Sequence, residues 1–176
     1  DIMDTRFNQT KLKKLQIFYG SQLKYLAFAS MLIDHVNNAL ITPYLNGQGF
    51  LLYLSNLFSI LGRIAFPLFV FFLVEGFFKT SNRMKYLIML LIFGVISEVP
   101  FDLFTSKTCF SPYWNNIMFT LALCLVTIWI IDILKDKISN KYLWYALSIL
   151  IVAFFGFLSI ELSLDYDYHA IVVAYL

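Results

Sequence analysis

Residues 115–134 of the chain, NNIMFTLALCLVTIWIIDIL, decide the fold class. The stretch is almost wholly apolar, and about 20 such residues are what a helix needs to cross the hydrocarbon core of a membrane. The rest of the 176-residue chain has the same character: 60% of its residues are hydrophobic, 14% are charged, and the mean hydropathy is +0.76. These values lie far above those of soluble domains and predict an all-α, polytopic transmembrane helical bundle.

Apolar runs along the chain predict about five complete membrane spans and part of a sixth. The second run is too long for one upright helix. We interpret it as an interfacial piece near 50–61 followed by a span from Gly62, in preference to one strongly tilted helix. The sixth run starts near Tyr168 and meets the last residue, Leu176, after about half a span. Because the sequence also starts at Asp1 without an initiator methionine, we expect a fragment whose last helices are missing. The predicted complete spans are 24–42, 50–79, 85–104, 115–134 and 142–162.

The distribution of basic residues predicts the orientation of these spans. Lysine and arginine cluster before the first span, between the second and third, and between the fourth and fifth, whereas the alternate loops contain only Lys107. Cytoplasmic loops carry such an excess, so the N-terminus is predicted to be cytoplasmic. Residues 1–23 are predicted to be a basic interfacial segment, and residues 24–176 the transmembrane domain.

Composition also narrows the function classes. The 13 basic and 11 acidic residues form no basic stripe with interleaved aromatic side chains, so no nucleic acid is expected as a partner. Cys109 and Cys124 lack the spacing of metal ligands, and no metal is expected. The expected surroundings are a lipid bilayer.

Several ionisable and amide side chains lie inside the predicted spans, where a charged group costs at least about 2.5–3.5 kcal/mol on insertion scales. The first span carries them in its middle, at SMLIDHVNNAL (30–40). A structural ion pair between helices is one interpretation. A shared polar site is favoured, because a histidine and several asparagines accompany the charges. Apart from Glu75, these residues collect in the outer half of the predicted bundle: Asp34, His35, Asn38, Arg63, Glu98, Asp102, Asn115, Asn116, Thr120, Asp165, Asp167 and His169.

Two prolines lie beside these charged residues. Pro67 lacks the N–H that would bond the carbonyl of Arg63, and Pro100 does the same to Ile96. Each is predicted to kink its helix and to free a backbone acceptor, which is tolerated at membrane depth only against protein or a wet cavity. An ordinary transmembrane kink is the alternative.

His35 is the candidate general base, because histidine titrates near neutral pH. A core histidine with satisfied hydrogen bonds is the alternative. Adjacent residues project about 100° apart on a helix, so Asp34 is available to pair with Arg63 while Glu98 or Asp165 orients His35 from another helix. We expect Arg63 within salt-bridge range of Asp34 or Glu98.

These residues lie in blocks that resemble the TraX family, named for the F-pilin acetylase. The resemblance runs from about residue 24 to the end of the chain, and the second block is its most specific part. The blocks are LIDH (32–35), LGRIAFPLFVFFLVEGFFKTSNRMKYL (61–87), LIFGVISEVPFDL (91–103), NNIMFTLAL (115–123) and DYDYHAIVVAYL (165–176).

The resemblance implies a multi-pass acetyltransferase of the bacterial cytoplasmic membrane. Such an enzyme moves acetyl from acetyl-CoA to the N-terminal amine of a pilin, with another peptide or a glycan as further acceptor classes. More distantly, the chain resembles the wider transmembrane acyltransferases, which carry an essential histidine in a membrane helix, and His35 is at the matching DH position. The resemblance implies Asp34, Arg63, Glu98 and Asp165 as its catalytic partners.

The remaining predicted site residues bind substrate. Asn38 and Asn116 are expected to donate hydrogen bonds to the oxyanion of the transition state. His169 is assigned to the same group, although glycine is expected near this position in the family. Lys79, Arg83 and Lys85 are placed for the CoA phosphates, and their alternative role is to determine topology.

Two other function classes stay open at the level of sequence. A small proton-coupled transporter would use Asp34, His35 and Glu98 as a relay. A purely structural membrane partner would need no chemistry at these residues. Turnover of acetyl-CoA distinguishes the enzyme from both.

Overall fold

The computed structural model describes residues 20–45, 49–105, 107–108, 111 and 115–176, and these ranges are almost entirely helical. Within them no strand occurs, and an isolated parallel β-bridge joins Asn115 to Leu164. The all-α prediction is therefore confirmed. The α-helices are α1 (Gly20–Val36), α2 (Phe50–Gly62), α3 (Ala65–Lys79), α4 (Arg83–Thr105), α5 (Ile117–Lys137), α6 (Lys141–Glu161) and α7 (Asp167–Tyr175).

Four helical stretches in the described part of the chain are long and apolar enough to cross a membrane. They are Phe50–Lys79, Arg83–Thr105, Ile117–Lys137 and Lys141–Glu161. The first predicted span corresponds to α1, which has 17 residues and is not among the four. Whether α1 crosses the membrane stays a prediction, as does the cytoplasmic N-terminus. The predicted interfacial segment 1–23 falls mainly outside the described residues.

The chain divides into two compact units, residues 1–68 and residues 69–176. In unit 1, α1 packs against α2. Beyond Val36 the chain continues as a π-helical turn, Asn37–Ile41, and a short 3₁₀ turn, Thr42–Tyr44, that contains Pro43. A π-helical turn holds one more residue than an α-helical turn, so the predicted span 24–42 is helical but follows α geometry only as far as Val36.

The long second run is broken where the sequence predicts. The helix α2 ends at Gly62, Arg63 and Ile64 form a turn, and α3 begins at Ala65. Pro67 is the third residue of α3, where the backbone N–H has no intrahelical partner in any case. The predicted interruption therefore occurs as a break at Arg63 and Ile64, four and three residues before Pro67, where a proline removes a backbone hydrogen bond and its ring crowds the preceding turn. Pro100, in contrast, lies inside α4 as expected.

In unit 2, α5 is the central helix and packs against α4, α6 and α7. It carries the longest series of buried residues of any helix in this unit. Small residues permit close contacts between helices of this unit: a Cβ added to Gly94 of α4 would lie 3.1 Å from the ring of Phe119 of α5, and one added to Gly156 of α6 would lie 3.2 Å from the Cβ of Tyr168 of α7. The core of unit 2 is therefore built around α5 by close helix–helix packing. The buried residues of α5 are Thr120, Leu121, Ala122, Cys124, Leu125, Thr127, Ile128 and Ile131.

Candidate functional site

His35 lies in the last turn of α1, and a backbone contact fixes its ring. Its Nδ1 lies 2.8 Å from the carbonyl oxygen of Met31, one turn earlier. A carbonyl oxygen only accepts hydrogen bonds, so Nδ1 is the donor in this contact. In a neutral imidazole with this contact, the lone pair is on Nε2. The orienting carboxylate expected from Glu98 or Asp165 stays a prediction.

Asp34, the neighbour of His35, lies against α2. Its Oδ2 accepts a hydrogen bond of 3.1 Å from Nδ2 of Asn38. A Cβ added to Gly62 would lie 2.5 Å from the Cβ of Asp34, closer than real Cβ atoms approach. The carboxylate of Asp34 is therefore held between an amide from its own helix and the glycine that ends α2.

Arg63 does not pair with Asp34. It follows the last residue of α2, its side chain is exposed, and it takes part in neither the Lys79–Glu75 nor the Arg83–Asp132 ion pair. The predicted Asp34–Arg63 ion pair is wrong, because α2 ends at Gly62 and the amide of Asn38 occupies the carboxylate instead. A pair between Arg63 and Glu98 would join the two units and stays a prediction.

Asn37 is a polar residue for which the sequence predicts no role. It is 0% exposed, and its Nδ2 donates to the carbonyl of Ser55 at 3.2 Å and to Oγ of Ser59 at 3.0 Å. Its Oδ1 is buried without a hydrogen-bond partner among the described residues. The signal in the sequence is the pair Asn37–Asn38, but helical periodicity does not show which of the two faces α2, because the chain changes from α to π geometry at this point.

In unit 2, Glu98 of α4 and Asn116 are in direct contact. Nδ2 of Asn116 donates to Oε2 of Glu98 and, at 2.8 Å, to the carbonyl of Gly94. Oδ1 of Asn116 accepts from the backbone of Met118 at 2.9 Å, which caps the first turn of α5. Nδ2 of Asn116 already donates to these two acceptors, so one of the two hydrogen bonds would have to break before Nδ2 could donate to an oxyanion.

Asp102 and Asp165 are two further carboxylates of unit 2 that the sequence singles out. Asp102 is 0% exposed and accepts a hydrogen bond of 2.7 Å from the backbone of Ser111. One oxygen of each of Glu98 and Asp102 is buried without a hydrogen-bond partner within the described ranges. Thr120 of α5 donates to the backbone carbonyl of Asp165 at 2.8 Å. This contact places Asp165 beside α5.

His169 lies on the exposed surface of α7. Its ring stacks on that of Tyr168, with 4.1 Å between the ring centroids. No structural feature assigns it to the substrate group, and its role stays a prediction.

The predicted phosphate-binding cations are partly engaged with the protein itself. Lys79 lies 2.6 Å from Glu75 within α3. Arg83 lies 2.7 Å from Asp132 of α5, and its guanidinium lies 4.2 Å from the ring centroid of Phe77. Arg83 therefore joins the start of α4 to α5. The exposed Lys85 is one of the basic side chains at this end of α4.

The predicted site residues thus form two local groups. Asp34, His35 and Asn38 lie together in unit 1, whereas Glu98 and Asn116 are in contact in unit 2. A single site that includes both groups stays a prediction. Across the described residues, no group of three or more histidine, cysteine, aspartate and glutamate side chains could hold a metal ion.

Comparison with known families decides the relationship of this chain. Residues 19–176 match the TraX protein family. The chain belongs to the TraX family. The predicted resemblance is therefore confirmed over all seven helices.

This chain is also similar to a protein that is named for fimbrial assembly. The probable fimbrial assembly protein FimC, serogroup H1, of Dichelobacter nodosus is 36% identical over 126 residues, which cover 64% of this chain and 46% of the relative. This chain thus spans less than half the length of that relative. No solved structure matches this chain.

Proposed function

We propose that the protein is an integral-membrane acetyltransferase that transfers acetyl from acetyl-CoA to an amine, with His35 as general base. The observation that supports this role is the Nδ1 contact of His35 with the carbonyl of Met31. A backbone acceptor holds the ring in one tautomer and leaves the basic nitrogen on the opposite side, which is the arrangement that proton abstraction requires.

The proposed reaction needs one proton acceptor and no redox chemistry. The neutral amine of the acceptor attacks the thioester carbonyl, and a C–N bond forms while the oxygen carries the negative charge. Nε2 of His35 takes the proton that the attacking nitrogen loses. When the tetrahedral intermediate collapses, the C–S bond breaks, and the imidazolium returns the proton to the CoA thiolate.

Other residues of unit 1 have supporting roles in this proposal. Asp34 places a negative charge beside His35, which stabilises the imidazolium formed during the reaction. Asn38 and Arg63 are the hydrogen-bond donors available to the oxyanion on the same unit. Within unit 2, Glu98, Asn116 and Asp165 are the polar residues that we propose to test next.

The proposed substrates follow from the family and from the relative. The relative's name describes a fimbrial assembly protein, so the N-terminal amine of a pilin is the first acceptor to test. Another peptide N-terminus or a glycan hydroxyl is the second acceptor class. On the donor side, Lys79, Arg83 and Lys85 are the proposed contacts for the CoA phosphates.

Replacement of His35 tests the proposal directly. His35→Ala should lower the rate of acetyl transfer per folded molecule by about 10²–10⁴-fold, which is the usual contribution of a positioned base. The measurement is transfer of labelled acetyl from acetyl-CoA to a pilin N-terminal peptide by purified protein in lipid. Binding of acetyl-CoA should change little, because the base acts in the chemical step.

Met31→Leu is the matched control for this experiment. It changes a side chain on the same turn but keeps the backbone carbonyl that orients His35, so its rate should stay close to wild type. Wild-type rates in His35→Ala and His35→Gln would refute the assignment of the base. If wild-type protein turns over no acetyl-CoA and instead shows proton-driven solute flux in vesicles, the acetyltransferase proposal is wrong and the relay interpretation replaces it.

A further inference from the structure

The π-helical turn after α1 depends on one buried amide. The carbonyl of Asn37 accepts the backbone N–H of Thr42, five residues later, and also its Oγ1 at 3.1 Å. The Nδ2 of Asn37 reaches α2 at Ser55 and Ser59. The first residue of the turn is therefore fixed to the turn's own end and to the neighbouring helix.

Stability alone does not explain an asparagine at this position. The side chain is completely buried, and its Oδ1 has no hydrogen-bond partner within the described residues. An unpaired buried acceptor is unfavourable, whereas an apolar side chain of similar size would pack there without that penalty. A buried side chain that leaves one acceptor unpaired while it fixes an uncommon turn is consistent with a functional constraint, since π-helical turns are frequent at functional sites.

The turn directly follows the polar side chains of α1. Nδ2 of Asn38 bonds Asp34, four residues earlier, which is the spacing of neighbours on a regular helix. The additional residue of the π-helical turn rotates only the residues that follow the turn. The amide of Asn37 therefore fixes the position of this end of α1, with Asp34 and His35, against α2.

We infer that Asn37 is a positioning residue, which fixes the π-helical turn against α2 and thereby holds Asp34, His35 and Asn38 in place beside that helix. The expected effect on the transfer rate rests on the proposed acetyl transfer, whereas the expected effect on the position of His35 does not. Asn37 itself touches no reacting atom.

The kinetic test uses Asn37→Leu. The rate of acetyl transfer per folded molecule should fall by about 10²-fold, as expected when a catalytic group is displaced by roughly 1 Å. The KM for acetyl-CoA should stay within about twofold of wild type, because misplacement acts on the chemical step. The matched control is Asn56→Leu, the same substitution at an exposed position of α2, and its rate should be that of wild type.

A spectroscopic test separates the structural claim from activity. The chain contains only two histidines, so ¹⁵N-histidine labelling in a His169→Gln background gives the imidazole signals of His35 alone. Asn37→Leu should shift the Nε2 resonance of His35, and Asn56→Leu should leave it in place. This readout decides the inference even if wild-type protein transfers no acetyl group, an outcome that would refute the proposed function only.

A milder pair of variants applies if Asn37→Leu does not fold. Ser59→Ala removes the hydroxyl that accepts from Asn37, whereas Ser55→Ala keeps its acceptor, which is a backbone carbonyl. Ser59→Ala should shift the His35 resonance and lower transfer, and Ser55→Ala should do neither. Unchanged resonances and unchanged transfer rates in both Asn37→Leu and Ser59→Ala would overturn the inference and make Asn37 a packing residue only.

Discussion

Gly62 permits the close contact between α1 and α2 at the level of a single residue. The position is buried, and the nearest atoms that a Cβ would meet all belong to the side chain of Asp34, at 2.5–2.8 Å. One of these atoms is the Cβ of Asp34, which moves only if the helix moves. The absence of a side chain at Gly62 is therefore what lets Asp34 lie between the two helices.

Gly62→Ala should consequently destabilise the α1–α2 contact. Overpacking a well-packed contact costs about 1–3 kcal/mol, which should appear as a lower free energy of unfolding in mixed micelles. The control is Gly20→Ala at the start of α1, where an added Cβ meets nothing within 4 Å and alanine has the higher helix propensity. Equal stability of the two variants would show that the helices separate easily at this point.

At the level of helices, Arg83 connects two elements of unit 2. It bonds Asp132 of α5 and stacks on Phe77 of α3, and the side chains of the ion pair are 33% and 30% exposed. The pair Lys79–Glu75 has a different character. It lies within one helix, and its lysine side chain is 73% exposed. Two ion pairs of similar length should therefore differ in their contribution to stability.

Arg83→Gln should lower the free energy of unfolding by about 1–2 kcal/mol, since it removes both an ion pair and a cation–π contact. Lys79→Gln should cost about 0.3–0.5 kcal/mol, the usual value of an i,i+4 pair. The double exchange Arg83→Asp with Asp132→Arg should recover part of the loss. If Arg83 also binds a CoA phosphate, Arg83→Gln should raise the KM for acetyl-CoA as well, and an unchanged KM would assign it to structure alone.

The helices of unit 2 were predictable because long apolar runs determine them. The predicted spans 85–104 and 142–162 lie within two residues of α4 and α6 at each end. The break near Gly62 was also predictable, from the glycine and the length of the run. The π-helical turn was not, because it depends on the contact of Asn37 with α2. The partner of Arg83 was not predictable either, since a charge pattern along one chain does not show which helix packs beside another.

The candidate site shows the same division between local and tertiary information. The sequence identified His35, Asp34 and Asn38 because polar residues inside an apolar run are unusual. It paired Arg63 with Asp34 or Glu98 by charge alone, whereas the structure shows Asp34 bonded to a neutral amide. Glu98 and Asn116 were both singled out, and only the structure shows that Asn116 bonds Glu98 while it caps α5. The hydrogen-bond partner of each polar residue therefore depends on tertiary contacts, which the sequence alone does not show.

At the level of the whole molecule, apolar surface and basic loops together determine how the chain would lie in a bilayer. Many large hydrophobic side chains of α4 and α6 are exposed, as expected for helices that face lipid. In unit 2 the end of α5 and the start of α6 carry Lys135, Lys137 and Lys141, whereas the segment after α4 carries Lys107. The excess of positive charge at the α5–α6 connection predicts that this connection is cytoplasmic.

Cysteine labelling tests this orientation. In a background without Cys109 and Cys124, Lys107→Cys should react with a membrane-impermeant maleimide added to intact cells. Lys137→Cys should react only after the membrane is permeabilised, because the α5–α6 connection lies on the cytoplasmic side. A separate variant that lacks only Cys109 provides the control for access, since its native Cys124 is 0% exposed and should not react in either condition. Labelling of Lys137→Cys in intact cells, with Lys107→Cys protected, would invert the orientation. The outer-half placement of Glu98 and Asn116 would then become a cytoplasmic one, and an acceptor outside the membrane could not reach them.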